Sequence, residues 1–450
     1  MIKIELKIRS LLFLLFLFVS FGHQSIGAPL PKILTLENAL QFAFQNSISF
    51  KILEAQLNST RLEKNIVDAA SLPKLELKAT HGLLGTDPQQ TPSYASDPRW
   101  QQWISSASLG ISETLYSNGI NSLRSEQAAL RVSAAEGRYF IAKEALKLQV
   151  TQNFFRYTQA LQLLKDQKAH AKLLTKIFDR VRRENSGPSV TRNKMRFTAE
   201  VQKAETEILN LEAREYAAKI DLLRILGVSA TEAAELTISP DQTSTDQILS
   251  TGEKALLSPI RVNELKDRQI QTTEAEISQL RFRQAKRETG PQIIWTAEAG
   301  VGSQDYWQTQ KEFYENKKQF WKTVVQFSWT LWDAGSKSSS EALAAEALRQ
   351  AELATRESQI NLENEVKLFW LEFVKSYRKL DANKLLLKME AEIFAEIDAD
   401  YRNSKVGYLD LMYAIQGLQA SQTSLVNSHF ELLQLLAKYE YYKKLSEPNL

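Results

Sequence analysis

Between Gly335 and Gly407 the sequence contains neither glycine nor proline. That stretch, rich in Ala, Glu, Leu, Arg and Lys, predicts one helix of roughly 70 residues and, at about 1.5 Å per residue, a length of about 100 Å. A helix in a soluble domain averages about 11–12 residues. A rod of this length excludes an ordinary globular domain and requires an elongated architecture. Just before Gly335 the period is different: Val325, Phe327, Trp329 and Leu331 alternate with Gln326, Ser328 and Thr330, as in a strand with one apolar face.

The rod carries a seam. Leu362, Val366, Phe369 and Phe373 are spaced four, three and four, and the rhythm resumes through Leu380, Leu387, Ala391, Phe394 and Tyr401. Such spacing buries a stripe against a neighbouring helix. Leu368, Leu371 and Leu385 lie off it and predict a second contact face, as in a bundle or cylinder. A dimeric coiled coil would show the same seam, so the seam alone leaves both open.

At the N-terminus, Lys3, Lys7 and Arg9 precede an apolar run over residues 11–21, followed by the small residues Ser25, Gly27 and Ala28. This is the pattern of a secretory signal peptide over residues 1–28. The run of about 11 residues is too short for the roughly 20 of a spanning helix. The chain has no cysteine, which excludes disulfides, thiolate chemistry and an acylated N-terminal Cys. Export without cysteine fits a bacterial envelope protein. The 56 basic side chains nearly balance the 53 acidic ones, which argues against a nucleic-acid partner. Beyond the leader no apolar run reaches transmembrane length, so membrane insertion would have to use strands.

In chain order, Thr35 is placed to cap a helix that opens at Leu36, and a second helical stretch covers about residues 48–72 before Pro73. Leu75, Leu77 and Ala79 then alternate with polar residues, a polar loop follows over 86–99, and Ala107, Leu109 and Ile111 mark a second strand. Leu115-Tyr116-Ser117-Asn118-Gly119 returns the chain to a long helix, whose one interruption is Gly137 and which Gly187-Pro188 breaks; a shorter helix extends to Leu226. After a polar connector the order recurs: helix, Gly290-Pro291, strands at 293–299 and 324–331, then Leu331-Trp332-Asp333-Ala334-Gly335 and the second rod, broken by Gly407. The period is about 216 residues, an internal duplication of a whole module. It divides the chain into a first repeat (29–227), a connector (228–259) and a second repeat (260–450).

In each half the two shorter helices together approach the length of the long one, so stacked end to end they would make a wall of uniform height. The four strands have the length that crosses an outer membrane at a tilt. Four strands cannot close a barrel, and an open conduit needs several chains; three chains give twelve strands. Trp100, Trp103, Tyr116, Trp307, Trp321 and Trp332 bracket the strands, as membrane-interface girdles do.

The order Leu34-Thr35-Leu36 with Ala39-Leu40, a proline at each helix-to-strand junction, the Leu-aromatic-Ser/Asp-Asn/Ala-Gly returns and the duplicated halves resemble the TolC-type outer membrane efflux protein family over about residues 34–445. The resemblance implies a mixed α and β membrane protein. In it a homotrimer forms one twelve-strand barrel in the outer membrane, continued by a helical tunnel across the periplasm. It also implies a passive exit duct for efflux or type I secretion, docked to a periplasmic membrane-fusion adaptor and an inner-membrane transporter. A periplasmic coiled-coil adaptor or scaffold without a pore is the alternative that the helices alone allow.

The family's periplasmic gate lies where the second rod turns into its partner helix, at a motif like Asp-Val-Leu-Asp-Ala. The matching stretch here is Asp410-Leu411-Met412-Tyr413-Ala414, with Tyr413 in place of the second aspartate. The first tip is basic, with Arg180, Arg182, Arg183, Arg192, Lys194 and Arg196, and the second is acidic, with Glu392, Glu396, Asp398, Asp400 and Asp410. Alternating around a trimer, these tips are expected to close the periplasmic end through ion pairs, with Gly187, Pro188 and Gly407 at the adaptor contact. No cofactor or metal is expected. His23, His81, His170 and His429 are scattered and match no ligand spacing, and no nucleophile has a positioned base, so no enzymatic role is expected.

Overall fold

The computed structural model describes residues 33–85, 101–182, 188–228, 237–238, 244–303 and 318–447. A short strand β1 (Ile33–Leu34) leads into α1 (Leu36–Asn46) and α2 (Ile48–Ala69), then β2 (Lys74–Gly85), β3 (Gln101–Tyr116), the 63-residue α3 (Ile120–Arg182) and α4 (Pro188–Leu226). After β4 (Thr237–Ile238) and α5 (Thr245–Leu256) come α6 (Lys266–Arg287), β5 (Gln292–Ser303), β6 (Lys318–Ser328), the 67-residue α7 (Ser336–Arg402) and α8 (Tyr408–Ser446). The signal segment 1–28 lies outside the described residues.

Gly137, expected to interrupt α3, does not: the helix is continuous through it. A glycine inside a helix costs about 1 kcal/mol relative to alanine. Here a Cβ would stand 2.9 Å from Cγ1 of Ile270 on α6, so the residue is small because α6 packs against it. Within the polar segment 228–259 the described residues include regular elements. They are β4, which pairs in parallel with β1, and α5, which opens on a complete capping box between Ser244 and Gln247. The segment's low hydrophobicity hides a helix that turns only Ile248, Gly252 and Ala255 inward. Ala391, counted in the seam of α7, is exposed, whereas Val366, Phe369, Phe373 and Leu380 are buried.

The chain forms two compact units. The first gathers α1, α4, α5, the C-terminal parts of α3 and α7 (from residues 145 and 373) and α8 to residue 438. Thr35 caps α1, its hydroxyl accepting from the Asn38 amide at 3.3 Å. Helix α4 ends on Gly227, at φ +75°, with the Val228 amide donating to the Leu223 carbonyl and the Gly227 amide to Arg224. This double closure needs a left-handed residue. Glycine is also demanded sterically, since a Cβ would lie 2.7 Å from the Asn46 carbonyl oxygen at the end of α1.

The second unit holds most of α2, the N-terminal parts of α3 and α7, α6, the end of α8, and one four-stranded antiparallel sheet in the order β2-β3-β5-β6. The register sets Leu77, Leu109, Ala299 and Trp321 side by side, with Leu75, Ile111 and Ala297 in the next row of that face. The alternate rows, which face the other way, are Glu76, Gly110, Glu298 and Lys322, and Lys78, Ser108, Gly300 and Phe320. One face is therefore mostly apolar, with Glu113 and Thr323 among its residues, and the other mostly polar or small, with Phe320 and Val324 the exceptions on β6. Among the described residues no helix is long and apolar enough to cross a membrane.

Candidate functional site

Two constellations collect the candidate residues, one in each unit. In the first unit the ends of the two helical hairpins share a core. Leu174 and Ile177 of α3, Phe197 and Ala204 of α4, and Tyr408, Leu411, Met412 and Ile415 of α8 are buried together, with Phe394, Ile397 and Tyr401 of α7 packed on them. Phe197 and Tyr408 meet edge to face, with ring centroids 4.8 Å apart. This apolar seat brings Asp398 of α7 within 2.9 Å of Arg180 of α3. Arg402, one turn beyond Asp398, reaches its other oxygen.

Asp398 is buried. Burial works to raise its carboxyl, but the hydrogen bonds and charge of Arg402 and Arg180 outweigh that, and it titrates below the ordinary aspartate value. The acidic and basic tips thus pair within a single chain. Asp400 pairs with Lys405 at 3.3 Å. Arg192, Arg196 and Tyr413 are exposed, Tyr413 by 70%. Gly187 lies outside the described residues, and Pro188 is the first residue of α4.

The turn from α7 to α8 differs from expectation. Gly407 is not what ends the rod. Ser404 takes the left-handed conformation, φ 58°, its amide donating to the Tyr401 carbonyl and that of Lys405 to Asp400. This is the hydrogen-bond pattern a glycine usually closes. Gly407 instead begins the next helix, and its amide donates to Oδ2 of Asp410 at 3.1 Å. Asp410, singled out for a gate, is therefore exposed and engaged as a helix cap.

In the second unit the two strand-to-helix returns have one geometry. Asn118 and Gly119 have φ 52° and 74°, and Ala334 and Gly335 have 55° and 88°, so the last two letters of the five-residue motif are left-handed in both copies. The third letter caps the following helix: Ser117 Oγ accepts from the Asn121 amide, and Asp333 accepts from the amides of Gly335 and Lys337. Asn118 also donates to the Arg287 carbonyl at 2.9 Å, where α6 ends. Periodicity could not show this tie, which links residues far apart in the chain.

On the polar face of the sheet, Glu298 of β5 accepts from Ser108 of β3 at 2.5 Å and pairs with Lys322 of β6 at 2.7 Å. No local signal marks this network, because its three members sit on three strands. On the apolar face, Trp321 is 76% exposed, and beyond β6 Trp332 is 84% exposed. Tyr116 is exposed at the end of β3, its hydroxyl donating to Asn118. The backbone of Trp103 pairs with Leu83. Trp100 and Trp307 lie outside the described residues.

No protein-family model and no curated protein sequence matches the chain. Solved structures do. The outer membrane protein VceC of Vibrio cholerae superposes with a TM-score of 0.75 at 15% identity, over 90% of this chain and 95% of its own. The outer membrane channel MtrE of Neisseria gonorrhoeae, in its open state, gives 0.74 at 15%, over 91% and 88%. The outer membrane channel CmeC of Campylobacter jejuni gives 0.75 at 12%, over 91% and 86%. The chain therefore has the fold of these outer membrane channels, the one implied by the resemblance to the TolC type.

Proposed function

We propose that the protein is an outer membrane channel-tunnel, the passive exit duct of a tripartite efflux pump or type I secretion system. The observation that carries this is the four-stranded sheet with one apolar and one polar face and, among the described residues, no second partner on β2 or β6. An open edge of 11 or 12 residues is a template for another chain. All pairings within the sheet are antiparallel, so β2 and β6 run in opposite directions. A second copy can set its β2 beside this β6 and continue the same pattern, and three copies close twelve strands with the polar face inward. Strand lengths of 11–16 residues suffice for an outer membrane.

The helices support self-association too. Leu62 and Ile66 on α2, Leu209 and Tyr216 on α4, and Leu368, Leu371 and Leu385 on α7 are exposed in the single chain, and in a homotrimer they are the faces that neighbours cover. The hairpin ends then form the periplasmic gate, with Asp398 and Asp400 held by Arg180, Arg402 and Lys405, and with Asp410, Tyr413, Arg192 and Arg196 at its surface. Gly187, Pro188 and Gly407 face the periplasmic adaptor, which links the duct to an inner-membrane transporter. The exposed aromatics Tyr116, Trp321 and Trp332, with Trp100, Trp103 and Trp307, form the lipid-interface girdles. The duct performs no catalysis.

The test is electrical. Detergent-extracted protein should have the mass of three chains and give steady single-channel openings in a planar bilayer. A folded protein that leaves the membrane fraction in a salt wash and shows no conductance is instead a periplasmic coiled-coil adaptor or scaffold.

A further inference from the structure

Where β5 and β6 meet the helices, a cavity of about 370 Å³ is lined by Lys286, Thr289, Trp329, Leu331, Trp332 and Lys337, among others. Two lysines line it from different elements, Lys286 from α6 and Lys337 from α7. The carboxylate lining it, Asp333, is engaged by backbone, one oxygen accepting from the Gly335 amide and the other from the Lys337 amide. Asp333 keeps its charge and offsets one lysine, so the lining has an excess of one positive charge. The Lys286 ammonium sits over the ring of Phe282, 4.2 Å from the centroid. The wall beside it is fixed: Asn118 donates to the Arg287 carbonyl and fills the space where a Cβ on Gly290 would stand.

The rest of the lining is apolar and open. Trp329, Leu331 and Trp332 are exposed. Trp329 continues the alternation of Val325 and Phe327, both exposed on the edge strand β6. A cationic cavity at the foot of an exposed apolar column matches a ligand with an anionic head and a hydrocarbon tail.

We propose that this cavity seats the phosphate headgroup of an anionic glycerophospholipid in the inner leaflet of the outer membrane. Lys286 and Lys337 pair with the phosphate, the Thr289 hydroxyl serves as a donor, and Trp329 and Trp332 cover the glycerol and the first acyl carbons. The site rests on the channel reading, since it needs β6 in a bilayer. It would fix the depth of the sheet at the point where strand gives way to helix.

The experiment is native mass spectrometry of the detergent-extracted protein with added phosphatidylglycerol, beside conductance in planar bilayers. Wild type should retain the lipid. Lys286→Gln with Lys337→Gln should weaken retention by about tenfold or more, at about one surface-cation contribution per lysine. Trp332→Ala should weaken it as well, and the conductance of the double lysine variant should match wild type. Retention that is unchanged in both variants overturns the site while leaving the channel intact. Displacement of the lipid from wild type by inorganic phosphate alone also overturns it, in favour of a free-anion site. Lysine-dependent retention by a protein that never conducts supports the headgroup site and counts against the channel.

Discussion

The carboxylate of Asp398 on α7 accepts a 2.9 Å hydrogen bond from Nη1 of Arg180 on α3 and is also held by Arg402 from its own helix. One buried anion thereby joins two helices 218 residues apart in sequence. Removing it leaves the partly exposed guanidinium groups of Arg180 and Arg402 without the anion they share. Asp398→Asn should cost roughly 2 kcal/mol, the scale of a charge-assisted hydrogen bond. Thermal melting and hydrogen exchange over residues 171–180 and 394–402 check this; unchanged exchange there would mean that the pair holds nothing.

The same carboxyl sets a pH response. Its folded-state pKa is depressed, so its contribution is complete above the ordinary aspartate value near 3.8 and is lost as pH falls through the lower folded value. Wild type should lose stability in acid more steeply than Asp398→Asn, with the two curves converging at the lowest pH. Circular dichroism melts from neutral pH downward measure the difference, and parallel curves would exclude it.

Asp410 separates a cap from a gate. Asp410→Ala removes the acceptor for the Gly407 amide and should destabilise the start of α8 by about 1 kcal/mol. Asp410→Asn keeps an acceptor and should cost less. If asparagine proves as damaging as alanine to stability, the charge matters rather than the cap. A conductance change in Asp410→Asn alone would place that charge in the gate.

Ala334 stands in a conformation that suits Asn118, its counterpart, better than alanine. The left-handed region costs a residue with a Cβ roughly 1–2 kcal/mol, a penalty that asparagine and glycine evade. Ala334→Asn or Ala334→Gly should therefore raise the melting temperature. No gain in either variant would show that the turn relaxes without strain.

Gly227 is constrained twice, by φ +75° and by the carbonyl of Asn46. Gly227→Ala should destabilise by roughly 2 kcal/mol or more and should loosen α1 in particular. Limited proteolysis near residues 46–48 reports that release, and wild-type protection there would contradict it.

The sequence by itself determined the local elements. An unbroken run of helix formers after Gly335 dictates a long helix, and the alternation of Leu75, Leu77 and Ala79 dictates a strand, because backbone period and side-chain pattern are properties of neighbouring residues. The Thr35 cap and the helix break at Gly227 were legible for the same reason. Tertiary structure decided what depends on residues distant in the chain. Gly137 is small because Ile270 packs there, Asn118 ties down the end of α6, and Glu298 bridges Ser108 and Lys322. The rod ends at Ser404, where the hydrogen bonds back to Tyr401 and Asp400 outweigh a serine's reluctance to turn left-handed, and not at the glycine that the sequence displayed. Tertiary packing also buried Asp398, one of several acids on a charged tip, between two partly exposed arginines. No periodicity distinguishes that carboxylate from its solvated neighbours, since its partner on α3 lies over two hundred residues away.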